Sequence, residues 1–151
     1  MKHTEGYTLP EAVVTLAILS IISASVGMLS LSVSKNLEKK QYEAECNQIL
    51  ELVTDTHTRA VMSSNRGCYF QSFSTDINFV TRENNTTLVT KRIALKHVKV
   101  TGYLLGKKVN FSPTGTISTG GTLELNGENG WIQYLVLQPV TGRIYLTHEK
   151  P

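Results

Sequence analysis

Between Ala12 and Ser34, about 23 residues, no Asp, Glu, Lys or Arg occurs; as an α-helix rising about 1.5 Å per residue the run spans about 34 Å, long enough to cross a bilayer. Beyond it the pattern becomes amphipathic. From Leu37 to about Ser64 the residues Ile49, Leu50, Leu52, Val53, Thr56, Ala60 and Val61 recur at three- and four-residue spacing with charges between them, which predicts a continuation of the same helix with one apolar stripe. Asn65-Arg66-Gly67 ends it, with Gly67 suited to a left-handed cap. After Gly67 the period falls to two. Cys68 to Phe73, Asn78 to Thr81, Thr87 to Leu95, Val98 to Leu104, Lys108 to Phe111, Thr116 to Ser118, Thr122 to Leu125, Trp131 to Leu137 and Arg143 to Thr147 read as short strands. Turn signals separate them at Glu83-Asn84-Asn85, Pro113-Thr114-Gly115, Gly120-Gly121, Asn126-Gly127 and Thr141-Gly142. The expected fold is therefore α+β: a long N-terminal helix, membrane-spanning over residues 7–34 and amphipathic over 35–66, packed on an antiparallel β domain over 67–151.

A chain of 151 residues leaves room for such an anchor and one small domain. The formal net charge of +3 is modest and does not by itself announce a nucleic-acid binder. Two signals disagree on orientation. Lys35, Lys39 and Lys40 follow the apolar run while only Lys2 precedes it, so a bare count of positive charges favours a cytoplasmic C-terminus. Glu38 and Glu43 are interleaved with those lysines and weaken that signal.

One carboxylate, Glu11, sits where the apolar run begins, and an unpaired charge at a membrane edge costs on the order of a few kcal/mol unless a partner neutralises it. The stretch Gly6-Tyr7-Thr8-Leu9-Pro10-Glu11 with the apolar helix behind it resembles the class III signal of type IV pilins and pseudopilins. The resemblance implies that residues 1–6 are a leader, that a prepilin peptidase cuts after Gly6 and methylates the Tyr7 amine, and that Glu11 pairs with the Tyr7 amine of a neighbouring subunit. The leader then stays cytoplasmic and the globular part lies outside, the orientation preferred here over the lysine count. Tyr7 replaces the family's usual Phe, and Pro10 falls in the first turn, where its missing N–H has no intrahelical partner to lose. Many major pilins carry a second Pro inside the helix; this chain has only Gly27 as a flexible point there. Val109-Asn110-Phe111, Gly115, Gly120-Gly121-Thr122-Leu123 and Thr141-Gly142-Arg143-Ile144 resemble, more weakly, the C-terminal pattern of minor pseudopilins of the GspH/FimT/ComGD type. The function this implies is a non-enzymatic minor pilin or pseudopilin, in competence DNA uptake, type II secretion or adhesion. Its partners would be other pilin subunits, the prepilin peptidase, the assembly platform protein and ATPase, the membrane and, in one variant, DNA. A major pilin of the filament shaft and a membrane-tethered DNA-binding module are the alternatives.

The search for other chemistry comes up short. His57, His97 and His148 lie on different elements without Cys or carboxylate at metal-ligand spacing, so no metal and no cofactor is expected. Gly120-Gly121 lacks the following helix that a phosphate loop needs, and Asn85-Thr86-Thr87 is a chance sequon. Lys91, Arg92, Lys96, Lys99, Lys107 and Lys108 follow one another without an acidic residue, so in alternating strands some must share a face able to meet DNA phosphates or an acidic partner; the plainer reading is a solvated sheet face. The two cysteines, Cys46 and Cys68, cannot reach each other if the helix is unbroken. Cys46 lies about 27 Å back from Ser64 along the axis, the chain from Ser64 to Cys68 returns at most about 14 Å, and a disulfide needs Cα atoms within about 7 Å. Both thiols are thus expected to be free in the subunit, with Cys46 available for contact or bridging with a partner.

Overall fold

The computed structural model describes residues 9–62, 67–83 and 87–150, with side chains at all of these except 26, 28–32, 82, 83, 87 and 88. One helix, α1, runs from Leu9 to Met62 over 54 residues. The expected stop signal at Asn65-Arg66 lies outside the described residues, and Gly67 carries φ +104 immediately before the first strand. The chain divides into two compact units, Met1–Lys39 and Lys40–Pro151.

In the first unit α1 opens with Pro10 and Glu11 in its first turn, where a missing N–H costs nothing and a carboxylate meets the positive end of the helix dipole. Large apolar side chains are exposed all round it. Successive residues turn by about 100°, so Val13, Val14, Ile18 and Leu19 point to different sides, and all are more than half exposed. Four hydroxyls within this run bond back to the helix itself. Thr15 donates to the Glu11 carbonyl, Ser20 to Ala17 O at 2.7 Å, Ser23 to Leu19 O at 2.8 Å and Ser25 to Ile21 O at 2.9 Å. Each satisfies itself on its own helix and needs no water.

The second unit contains the rest of α1 and eight strands: β1 (Cys68–Ser72), β2 (Asp76–Glu83), β3 (Thr87–Ala94), β4 (Val98–Gly102), β5 (Lys108–Phe111), β6 (Gly121–Gly127), β7 (Ile132–Leu137) and β8 (Ile144–Thr147). They form two antiparallel four-stranded sheets, ordered β3-β2-β1-β5 and β4-β6-β7-β8, rather than the one sheet that alternation alone implied. Periodicity locates strands but carries no information on which strand pairs with which. Tyr42, Cys46, Ile49, Val53, Thr56 and Ala60 are buried along α1. Their four-three-four spacing makes a narrow stripe. It joins Phe70, Phe79 and Phe111 of the first sheet and Val100, Leu123, Leu125 and Leu135 of the second in a single core cluster. Phe70 stacks on Phe79 and Phe111 with centroids at 6.2 and 5.9 Å.

Two further expectations are corrected. Residues 116–118 make a single bridge, Phe111 to Ile117, and no strand, because their backbone groups go to three different places: Thr116 O accepts from Ser112 N, Ile117 N donates to Pro139 O and Ser118 N to Asn110 O. Asn126-Gly127 is no turn but the end of β6, and the reversal falls at Glu128–Gly130, where Asn129 takes φ +64. Gly127 is required for another reason. A Cβ there would lie 2.6 Å from the Tyr42 ring, whose hydroxyl donates to Leu125 O at 2.8 Å and which tilts against Trp131 at 5.8 Å.

Candidate functional site

The two residues of the expected cleavage step, Gly6 and Tyr7, lie outside the described residues. Glu11 stands in the first turn of α1, exposed, at the head of the apolar run. The expected membrane span falls partly outside the described side chains, which run unbroken only from Leu9 to Ser25. Among the described residues no helix is long and apolar enough to cross a membrane, a crossing taking about 20 apolar residues.

The basic strip is divided by the fold. Lys91 and Arg92 belong to β3, one edge of the first sheet; Lys108 belongs to β5, its other edge; Lys99 belongs to β4, an edge of the second sheet; Lys96 and Lys107 stand in connections. Directly opposed residues share a face. Arg92, Asn78, Gln71 and Lys108 therefore form one cross-strand row, with the two cations at its ends, about 14 Å apart at three strand spacings. Lys91 opposes Phe79, a core residue, and so belongs to the other face. Several of these cations have neighbours within the chain. Arg92 Nε meets Asp76 Oδ2 at 2.9 Å, Lys107 Nζ lies 3.1 Å from the Tyr103 ring centroid and Lys108 Nζ 3.7 Å from that of Tyr69.

Both cysteines are free and fully buried. Cys46 is therefore not available to a partner, as the sequence had led us to expect; it faces inward because it falls on the same stripe as Ile49 and Val53. Burial pushes its thiol up from an ordinary 9.0 to about 12, and burial, with this thiol beside it, also raises the Tyr42 phenol. An uncharged, enclosed thiol is a poor nucleophile. Two histidines have structural neighbours. His57 Nε2 donates to Gly115 O at 2.9 Å, which assigns the proton to that nitrogen, and its ring meets Phe111 edge-on at 5.3 Å. His148 Nε2 lies 3.5 Å from the amide nitrogen of buried Gln133. Among the described residues no group of three or more His, Cys, Asp or Glu side chains is arranged to hold a metal ion.

Sequence reasoning missed the loop end of the second unit. Glu45 on α1 accepts from the amides of Lys96 and His97 at 2.8 and 2.7 Å, holding the β3–β4 turn with both carboxylate oxygens. The β1–β2 turn is tied to it: Leu95 N donates to Thr75 O at 2.8 Å and Val100 N to Ser74 O at 2.9 Å. The β4–β5 loop closes on the same place, with Gly106 N donating to Ser72 O and Gln71 Nε2 to Gly106 O, both at 2.8 Å. Phe73, Tyr103 and Leu105 remain exposed by 37, 66 and 39% on these fixed loops. The only signal in the sequence was the presence of large apolar residues within loops, since side-chain to backbone bonds between distant segments leave no pattern. No protein family, characterised protein or solved structure that was compared with the chain matches it.

Proposed function

We propose that the protein is a non-enzymatic subunit of a type IV pilus-like filament, a minor pilin or pseudopilin that helps initiate or cap assembly in competence, secretion or adhesion. It is inserted once in the cytoplasmic membrane with its β domain outside, is processed by a prepilin peptidase, and is raised into the filament by the assembly platform and its ATPase. The observation that carries the reading is the exposure of apolar side chains on every side of α1 directly behind Gly6 to Glu11. Such a surface needs an apolar environment all round, which a bilayer supplies first and a bundle of like helices afterwards. The internally bonded Thr15, Ser20, Ser23 and Ser25 fit that environment, since none needs water. Within such a bundle the Glu11 carboxylate and the Tyr7 amine of a neighbour would each relieve the desolvation of the other. The competing reading, a tethered DNA-binding module, wants a contiguous cationic face, and the division of the basic strip between two sheets favours the filament subunit.

Intact-mass analysis of the chain from its native host tests this. The expected mature protein begins at a methylated Tyr7, and Gly6→Leu keeps the leader attached. A wild-type chain that still begins at Met1 would overturn the reading.

A further inference from the structure

We propose that the loop end carrying Phe73, Tyr103, Leu105, Lys96 and Lys107 docks on a bilayer surface that displays anionic headgroups. The inference rests on the membrane reading above and adds a second contact, made by the β domain. Three loops converge there and are held by backbone bonds and by Glu45, so their exposed side chains are displayed on a fixed frame. Phe73 and Leu105 supply apolar surface at the tips. Tyr103, exposed by 66%, carries Lys107 Nζ 3.1 Å from its ring centroid, so an aromatic body and a cationic head lie side by side. That pairing suits the depth at which hydrocarbon gives way to headgroups, where amphipathic rings and long cationic side chains settle. Lys96 is exposed on the adjoining turn.

The acidic groups nearby do not cancel these charges. Both oxygens of Glu45 accept backbone amides, Asp76, its side chain 15% exposed, is paired with Arg92, and Glu124, which lines a hollow with Tyr103, is paired with Lys150 at 3.4 Å and accepts from Thr101 Oγ1 at 3.2 Å. The balance of a cationic rim around exposed aromatic and aliphatic tips fits anionic lipid better than nucleic acid. Duplex DNA would neutralise the lysines but leave Phe73 and Leu105 in water.

The test uses the full-length chain in nanodiscs, with a fluorophore on Ser74→Cys and a quencher on the lipid headgroups. Both native thiols are fully buried, so the label goes to the introduced one. A matching label on Thr114→Cys reports the loop beside His57, about 18 Å further along the helix from Glu45. Quenching at position 74 is expected in discs containing anionic lipid, weaker in neutral discs and lost at high salt, with position 114 unaffected throughout. Lys96→Gln and Lys107→Gln should each lower the docked-to-free ratio about fivefold, as about 1 kcal/mol per cation implies. Phe73→Ser with Leu105→Ser should abolish docking in anionic discs. Equal quenching at the two positions overturns the proposal, as does protection of position 74 by duplex DNA with no response to lipid charge. A chain that does not stay with the discs speaks against the membrane-spanning reading instead. The same labelled protein mixed with anionic vesicles then still decides whether the loop end binds lipid.

Discussion

At the scale of single residues, Glu45 does the most with the least exposure to view in the sequence. Its two carboxylate oxygens each accept one amide of the β3–β4 turn, and hydrogen bonds to a charged acceptor are stronger than neutral ones. Glu45→Ala leaves the amides of Lys96 and His97 to water and should cost about 1–3 kcal/mol, read from the denaturant midpoint. Hydrogen exchange at those two amides should speed up well beyond that of the neighbouring strands. Cys46 gives a pH dependence of defined sign. Its folded value is raised to about 12 from an ordinary 9.0, so between these the unfolded chain has lost a proton that the folded chain keeps. Stability is then full below about pH 9 and falls as pH rises toward 12, by at most about 1.4 kcal/mol per pH unit. Cys46→Ala should flatten that decline in an alkaline unfolding series, although the raised Tyr42 phenol, acting in the same direction, keeps part of it.

Elements were legible to different degrees. The apolar run and the alternating stretches announced α1 and the strand cores, because helix and strand periods are properties of a few adjacent residues. The stripe on α1 was read from Ile49 onward, yet it begins at Tyr42 and Cys46, two residue types that do not stand out as apolar until something buries them. The partition into two sheets was not legible. Nothing in Val98 to Gly102 marks it for β6 while Lys108 to Phe111 returns to β1; that choice is made by contacts between distant segments. The candidate site followed the same rule. Glu11 and the residues before it could be singled out because their spacing is local, whereas the loop end held by Glu45 is assembled from four separate segments. If Glu11 serves subunit pairing, Glu11→Ala should remove the protein from filaments while membrane insertion and the circular dichroism of the β domain stay unchanged. Normal incorporation of the variant, scored by immunoblot of sheared filaments, would contradict the assignment.

The whole β domain is laced together by an exchange of strands: β4 crosses to the second sheet before β5 comes back to complete the first. Neither sheet is made of one uninterrupted length of chain, so neither can be finished until the other has begun, and their formation is tied into one late, long-range event. A single protease cut in the exposed stretch around Thr114 would leave β6, β7 and β8 on a separate fragment. That fragment should nonetheless co-elute with the rest, held by the β4–β6 ladder from Val98↔Gly127 to Gly102↔Leu123 and by Tyr42 on Leu125, and should part from it only in denaturant. Spontaneous separation of the nicked halves in buffer would show that the exchange does not lock the domain. The same lacing has a mechanical meaning. A load applied through α1 reaches both sheets at once, so the domain resists as one knot under tension and has no weaker half to shed first.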